Sequence, residues 1–271
     1  MTAQNTDCIA FIGGGNMATA LIGGLVKAGH DPASILVVDP LASQRDTLKD
    51  RFGLLPFAAA EAGLARASTV VWAVKPQFFA EAAAPCAPFV GAALQVSVMA
   101  GIRSESIALA TGSQSVIRAM PNTPALIGQG IAGMYARPTV GAAARTEVAD
   151  LFAPTGQVLW VEEEDALDAV TALSGSGPAY VFYFLEAMVL AGTEMGLSAE
   201  QSRQLAQATF AGAAALAMQS PLSPAALREQ VTSKGGTTHA AITALQAAGV
   251  KAAFIAAMHA AHKRAQALGG S

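Results

Sequence analysis

The sequence predicts an α/β fold, with an N-terminal doubly wound parallel sheet followed by a C-terminal all-helical domain. Three features carry that expectation. From the start to about residue 160, short β-branched runs alternate with alanine-rich helical stretches, the pattern of a parallel sheet covered by helices. Each run is apolar on both faces, as a strand buried between two helical layers must be. Beyond the acidic run Glu162–Asp165, helical signals replace strands almost entirely.

The predicted strands are Cys8–Ile12, Ile35–Val38, Thr69–Val74, Leu94–Val98, Ser115–Arg118, Ile131–Tyr135 and Val158–Val161. The change of texture puts a domain boundary near residue 163, giving domains 1–163 and 164–271, and a chain of 271 residues is long enough for two cores. Four or five helices fit the second domain. Their starts are legible: Ser176 shortly before Pro178, the capping box Ser198-Ala-Glu-Gln201, and Ser223 with Pro224 at the first helical position. Helix 178–195 is apolar nearly all round. In a domain of about 108 residues such a helix has too few neighbours to cover it, so it is expected to form a subunit interface rather than an ordinary core.

Composition narrows the class. The chain is 53% hydrophobic and 13% charged, with a mean hydropathy of +0.43, but alanine supplies most of the excess. The most apolar stretch, Ala179 to Leu190, contains Glu186 and falls short of the roughly 20 residues a spanning helix needs. Met1 to Asp7 is polar and lacks the features of a secretory leader, so a soluble protein of the cytoplasm is expected. Cys8 and Cys86 are far apart and no histidines cluster, so neither a metal site nor a disulfide is expected. A net charge of −3 without a basic cluster speaks against nucleic acid as a partner.

The first strand runs into Phe11-Ile12-Gly13-Gly14-Gly15-Asn16-Met17-Ala18, a G-x-G-x-x-A turn between a strand and an apolar helix. This is the Rossmann-type fingerprint: the glycines let backbone N–H groups approach a pyrophosphate, whose charge then lies at the helix N-terminus. The second strand is trailed by Asp39, which is expected to accept from a ribose hydroxyl and so to favour NADH, unless it serves as a helix cap. Arg45 and Lys49 follow on the next helix, where an arginine can hold the extra phosphate of NADPH, so the cofactor is NADPH or NADH. Ala73-Val74-Lys75-Pro76 and Ser97-Val98-Met99-Ala100-Gly101 end two further strands, and the carboxyl ends of a doubly wound sheet face the ligand crevice. Lys75 either touches the cofactor or is merely solvated. Arg118-Ala-Met-Pro-Asn122-Thr123-Pro124 supplies an amide, on Asn122, and a hydroxyl, on Thr123, suited to the same crevice.

An absence bears on the chemistry. No lysine lies between Pro76 and Ser233, and no histidine between Asp31 and Thr238. Alcohol oxidation normally needs such a base. Hydride addition to a protonated imine does not, because the cationic nitrogen is itself the electron sink, and positioning then supplies most of the catalysis. His239 is the only histidine near a motif, and its plain reading is a solvated residue at a helix start. That motif is Val231-Thr-Ser233-Lys-Gly235-Gly236-Thr237-Thr238, in which glycines ahead of a helix offer a nest of N–H groups for a carboxylate and the threonines add hydroxyls. Ser174-Gly-Ser-Gly-Pro-Ala-Tyr180 reads as a tight packing corner at the start of a helix.

Taken in order and at their spacing, the Gly13 loop, Ala73–Pro76, Arg118–Pro124, Ser174–Tyr180 and Ser233–Thr238 resemble the Δ1-pyrroline-5-carboxylate reductases, which carry out the last step of proline biosynthesis. The resemblance implies a Rossmann domain followed by a helical dimerisation domain, with subunits pairing through the helices and building rings up to a decamer. It implies NAD(P)H held by Ile12 through Met17, Ala73 through Pro76, and Val98, Met99 and Ala100. It also implies a substrate carboxylate gripped by Gly236, Thr237 and Thr238, with Thr238 near the ring nitrogen and Glu164 near the substrate. Met99 stands where the family often has alanine, Lys234 where it often has proline, and Asp39 where it often has a small hydroxyl residue. A β-hydroxyacid dehydrogenase would need a catalytic lysine on a helix of the second domain, and none precedes Lys234. A nucleotide-binding protein without turnover would lack the nest at 235–238.

Overall fold

The structure is a computed structural model that describes residues 8–270; the polar segment Met1 to Asp7 lies outside the described residues. Seven strands form one sheet: β1 (Cys8–Ile12), β2 (Ile35–Val38), β3 (Ala67–Trp72), β4 (Leu94–Ser97), β5 (Val116–Met120), β6 (Gly130–Ala136) and β7 (Gly156–Trp160). Between them run α1 (Asn16–Lys27), α2 (Ala42–Phe52), α3 (Phe79–Val90), α4 (Ser104–Thr111) and α5 (Ala142–Phe152). The strand order is β2-β1-β3-β4-β5-β6-β7. All seven predicted strands are present; β1 and β2 have the predicted bounds, and the ends of the others are displaced by at most two residues.

The side-chain alternation of β1 explains the layers. Ile9 and Phe11 pack with Leu21, Ile22 and Leu25 of α1, Leu48 of α2 and Phe152 of α5. Cys8, Ala10 and Ile12 face the other way, toward Cys86 and Val90 of α3 and Ile107 of α4. A strand buried on both faces therefore needs helices on both, which is why its sequence reads as continuously apolar. Gln95 on β4, the one fully buried glutamine among the described residues, is satisfied: it accepts from the Trp72 indole N–H at 2.8 Å and donates to the Val90 and Ala93 carbonyls at 2.8 Å each. Leaving such groups unpaired costs about 1–3 kcal/mol each, so this network ties β3 firmly to β4. Both cysteines are free and buried, and burial pushes the Cys86 thiol up to about 11.

The sheet is not parallel throughout. β6 runs antiparallel to β5, and β7 runs parallel to β6, so the last two strands are reversed. The cause is the connection: residues 121–129 separate β5 from β6, and a parallel crossover needs a dozen or more. Pro121 and Pro124 add a short 3-10 turn but no helix long enough to carry the chain back.

From residue 164 onward the described residues form α6 (Ala166–Val170), α7 (Gly177–Glu194), α8 (Ala199–Gln219), α9 (Pro224–Gln230), α10 (Thr237–Ala247) and α11 (Val250–Gly269). That is one helix more than the upper expectation, because the single turn α6 continues through a π-helical turn, Thr171–Gly175, into α7. The chain divides into two compact units, one reaching Ser176 and resuming at Ala261, the other Gly177–Ala260. The first extends past residue 163 because its later segments are packed against strands. A Cβ on Gly133 of β6 would stand 2.6 Å from Val170, and one on Gly175 2.6 Å from Met120. The Ser174–Tyr180 stretch thus begins as a close-packed corner, as its glycines predict.

In the second unit the capping box at Ser198 and the Ser223 cap with Pro224 both form as predicted. α7 and α8 cross so closely at Gly192 that a Cβ there would lie 2.6 Å from the Ser202 hydroxyl. Tyr180 and Phe184 meet Phe254 edge to face at 5.7 and 5.6 Å. Within this one chain, however, Gly192 is the only buried residue of α7, and Phe182, Tyr183 and Leu190 are 58%, 71% and 61% exposed. Apolar area of that extent marks an association surface. Among the described residues no single helix is long and apolar enough to cross a membrane.

Candidate active site

Four parallel strands end side by side and bring the first group of predicted residues together. The Gly13 N–H bonds to Val38 O at 2.8 Å, Ala73 N–H to Ile12 O at 2.8 Å, and Val98 N–H to Trp72 O at 3.0 Å. The Gly13–Gly15 loop, Asp39, Ala73–Pro76 and Val98–Ala100 therefore share one sheet edge. Each glycine of the loop has its own reason. Gly13 takes φ +95° with Ala73 O 2.7 Å from where a Cβ would stand, and Gly14 would meet Leu48 at 2.7 Å. A Cβ on Gly15 would meet nothing within 4 Å, so its face is open. Gly15 is the N-cap of α1, no side chain caps the helix, and its first turn holds no acid. The amides of Asn16, Met17 and Ala18 thus lack an intrahelical acceptor and carry the positive end of the helix dipole, which fits a pyrophosphate.

The loop peptide is pinned by its neighbours. Gly14 N–H donates to Asp39 Oδ2 at 2.8 Å, while Gly14 O accepts from the Thr19 hydroxyl at 3.1 Å and from the Gln44 amide. Asp39 Oδ1 accepts from Leu41 N–H at 2.8 Å, and the residue is only 7% exposed. Asp39 is therefore a brace for the glycine loop, whatever it does for a ribose. Arg45 donates to the carbonyls of Asp39 and Pro40, which holds its guanidinium at the same corner. Among the other predicted residues, Lys75 is exposed at the strand end, whereas the Met99 side chain is buried among α3 and α4 residues and leaves only its backbone to the crevice. The Asn122 amide is engaged in structure: Oδ1 accepts from Ile131 N–H at 3.0 Å and Nδ2 donates to Ser174 O at 3.2 Å.

Glu164 lies at the centre of a network that the sequence does not reveal. Its Oε1 accepts from Ser104 N–H at 2.7 Å and from Arg118 at 2.8 Å, and its Oε2 from the Ser104 hydroxyl at 2.7 Å. Burial pushes the Glu164 carboxyl up, but the two Ser104 bonds and the Arg118 charge outweigh it and hold the pKa below the ordinary glutamate value of 4.5. Ser104 and Arg118 stand 60 and 46 residues away in the chain, so no local spacing signals the cluster.

The second group of predicted residues lies at the start of α10, within the other unit. Gly235 adopts φ +77° with nothing within 4 Å of a Cβ position, and Gly236 is the N-cap of α10, again without a side-chain cap. The Gly236 N–H is taken by Ser233 O at 3.0 Å, leaving the amides of Thr237, Thr238 and His239 at the helix start. No described residue hydrogen-bonds the Thr237 or Thr238 hydroxyl, and His239 is exposed. Three amides without an intrahelical acceptor at a helix N-terminus, with hydroxyls on two of the same residues, suit a single carboxylate.

A doubly wound sheet with an open, uncapped glycine turn, followed by a helical unit with a second uncapped glycine turn, has the architecture of a dinucleotide-dependent oxidoreductase. Comparison with known proteins agrees in both halves. Residues 164–268 match the family profile described as pyrroline-5-carboxylate reductase dimerisation, and residues 8–101 match that of the NADP oxidoreductases, coenzyme F420-dependent. The chain is 43% identical to a pyrroline-5-carboxylate reductase of Pseudomonas aeruginosa over 96% of both sequences. Its fold matches the enzyme of that name from Coxiella burnetii with a TM-score of 0.89 at 36% identity, covering 97% of this chain and 99% of that one. It matches the Plasmodium falciparum pyrroline carboxylate reductase, solved with NADP bound, with a TM-score of 0.88 at 27% identity over 98% and 99%. The chain belongs to the pyrroline-5-carboxylate reductase family, NAD(P)H-dependent oxidoreductases that reduce pyrroline-5-carboxylate to proline and associate through their helical domain.

Two outcomes follow from the geometry. If Asp39 braces the loop, Asp39→Ala orphans the Gly14 N–H and weakens NADH and NADPH about equally, roughly tenfold in Kd, with their ratio within about twofold; a selective gain for NADPH would make it a ribose selector instead. Because the folded pKa of Glu164 is depressed, its stabilisation is present above the ordinary value and is lost as pH falls through the folded one. Acid unfolding at fixed protein concentration should therefore be steeper below about pH 4.5 in the wild type than in Glu164→Gln.

Proposed function

We propose that this chain catalyses the reduction of Δ1-pyrroline-5-carboxylate to L-proline by positioning alone, with no obligate side-chain acid or base. The observation that carries this reading is the pair of helix starts, α1 and α10, each uncapped and each preceded by consecutive glycines. The pyrophosphate of NADPH or NADH rests at Gly13, Gly14 and Gly15 and the amides of Asn16, Met17 and Ala18, with Ile12 below. Ala73, Val74, Lys75 and Pro76 and the backbone of Val98, Met99 and Ala100 line the same edge, while Asp39 and Asn122 hold its loops. The bound reduced nicotinamide supplies the hydride.

The substrate carboxylate is held by the amides of Thr237 and Thr238 on a turn shaped by Ser233, Gly235 and Gly236, and the Thr238 hydroxyl faces the ring nitrogen. Fixing the carboxylate orients the imine carbon, which takes the hydride, while the nitrogen keeps the proton it already carries and becomes the amine of proline. Such preorganisation is worth several kcal/mol of barrier without proton transfer. The absence of lysine between Pro76 and Ser233 and of histidine between Asp31 and Thr238 supports a mechanism that needs neither.

On this reading the functional division falls between 1–163 and 164–271, where the dimerisation match begins. The exposed apolar face of α7 supports pairing through the helices, with the pairs assembling into a ring of up to ten chains in the cytoplasm, free of any membrane or nucleic acid. The test is Thr238→Ala, assayed by loss of NADPH absorbance. The kcat/KM for the imine acid should fall about 10- to 100-fold with NADPH Kd unchanged within about twofold. An unaltered kcat/KM would remove the substrate-site assignment.

A further inference from the structure

The turn from Val98 to Arg103 carries part of the proposed cofactor site, and its two ends are held by different means. At its start the sheet holds it, through Val98 N–H to Trp72 O at 3.0 Å and Met99 N–H to the Ser97 hydroxyl at 3.2 Å. At its far end it enters α4, whose N-cap, Arg103, offers no side-chain oxygen. The cap comes instead from Glu164, which takes both the amide and the hydroxyl of Ser104 at 2.7 Å each. The same carboxylate is anchored to the sheet by Arg118 of β5, whose side chain is 5% exposed, against 17% for Glu164. Beside it Arg103 pairs with Asp165, and in the middle of the turn Gly101, at φ +75°, sits against the end of α11, where a Cβ would stand 2.9 Å from Leu268 O.

We infer that Glu164 is a positioning residue for the nicotinamide cofactor: by tying the start of α4 to β5 it sets the turn that carries Val98, Met99 and Ala100, and it does so without touching the substrate. This rests on the reading that Val98–Ala100 hold the cofactor. The chemistry requires a glutamate here. Its two oxygens accept three donors from two separate elements, and both oxygens are needed. Glutamine offers one acceptor and turns an NH2 toward donors, whereas aspartate is a methylene too short to span the gap. Three protein donors hold both oxygens of this carboxylate in one orientation, which suits a group that fixes the α4 start rather than one kept available for the imine acid.

The inference is tested on the assembled protein with Glu164→Gln, Ser104→Ala and the double variant. Cofactor Kd is read by energy transfer from tryptophan to NADPH without substrate, and KM for the imine acid is read at saturating NADPH. Glu164→Gln should raise NADPH Kd about tenfold and leave that KM within about twofold; Ser104→Ala should raise Kd about threefold. The double variant should bind no worse than Glu164→Gln, because both act through one cap. An unchanged NADPH Kd with a raised KM for the imine acid overturns the inference and puts Glu164 in the substrate site. Should Glu164→Gln not fold, Ser104→Ala decides alone: an unchanged Kd overturns the clamp. Ala100→Asp separates the two layers of the argument. If that charge leaves NADPH binding intact, the cofactor reading of the turn falls and takes the clamp with it; if it abolishes binding while Glu164→Gln does not weaken it, the clamp alone falls.

Discussion

A helix that begins without a side-chain cap leaves about four amide N–H groups unpaired and a partial positive charge exposed, and burying that end without a partner is costly. The chain meets this constraint in two different ways at α1, α10 and α4. At α1 and α10 the cap residue is a glycine, Gly15 or Gly236, and the amides are left for an anion. At α4 the same need is met from inside, by the carboxylate of Glu164. The internal case displays the chemistry expected of the two open ones: a carboxylate accepting a backbone amide at short range, steadied by a neighbouring hydroxyl.

The sheet decides where the first open terminus lies. Because β2, β1, β3 and β4 are parallel and end level, the loops that follow all four strands are delivered to one edge, and the order reverses beside β1, where a crevice opens. The glycine loop is rigid for reasons outside itself, since Asp39, Thr19 and Gln44 hold both polar groups of Gly14. The Gln95 network locks β3 to β4 and thus Ala73 to Val98. The helical unit contributes the other terminus. Its apolar α7 is left exposed within one chain, in the part that matches the family's dimerisation profile.

Much of this was legible in the sequence, and what was missed shares a cause. The seven strands and the glycine turn announce themselves through local composition, and the all-round apolarity of 178–195 signals an interface because so small a domain offers it too few neighbours. Strand direction is different: the reversal of β6 depends on how far nine residues can carry the chain. The partners of Glu164, the brace from Asp39 to Gly14 and the use of Asn122 between Ile131 and Ser174 are contacts between distant segments, invisible to any spacing rule. A resemblance can assign such residues to a site, but only geometry distinguishes a side chain that holds the ligand from one that holds the loop.

The central claim is that the substrate acid is gripped by backbone amides at a helix start. Its most direct measurement is a crystal structure with proline and the oxidised cofactor bound together. The account predicts a carboxylate oxygen about 2.7–3.2 Å from the N–H groups of Thr237 and Thr238, with no lysine, arginine or histidine side chain on the carboxylate. A carboxylate paired with a cationic side chain, or bound away from the loop that follows Ser233, would contradict it.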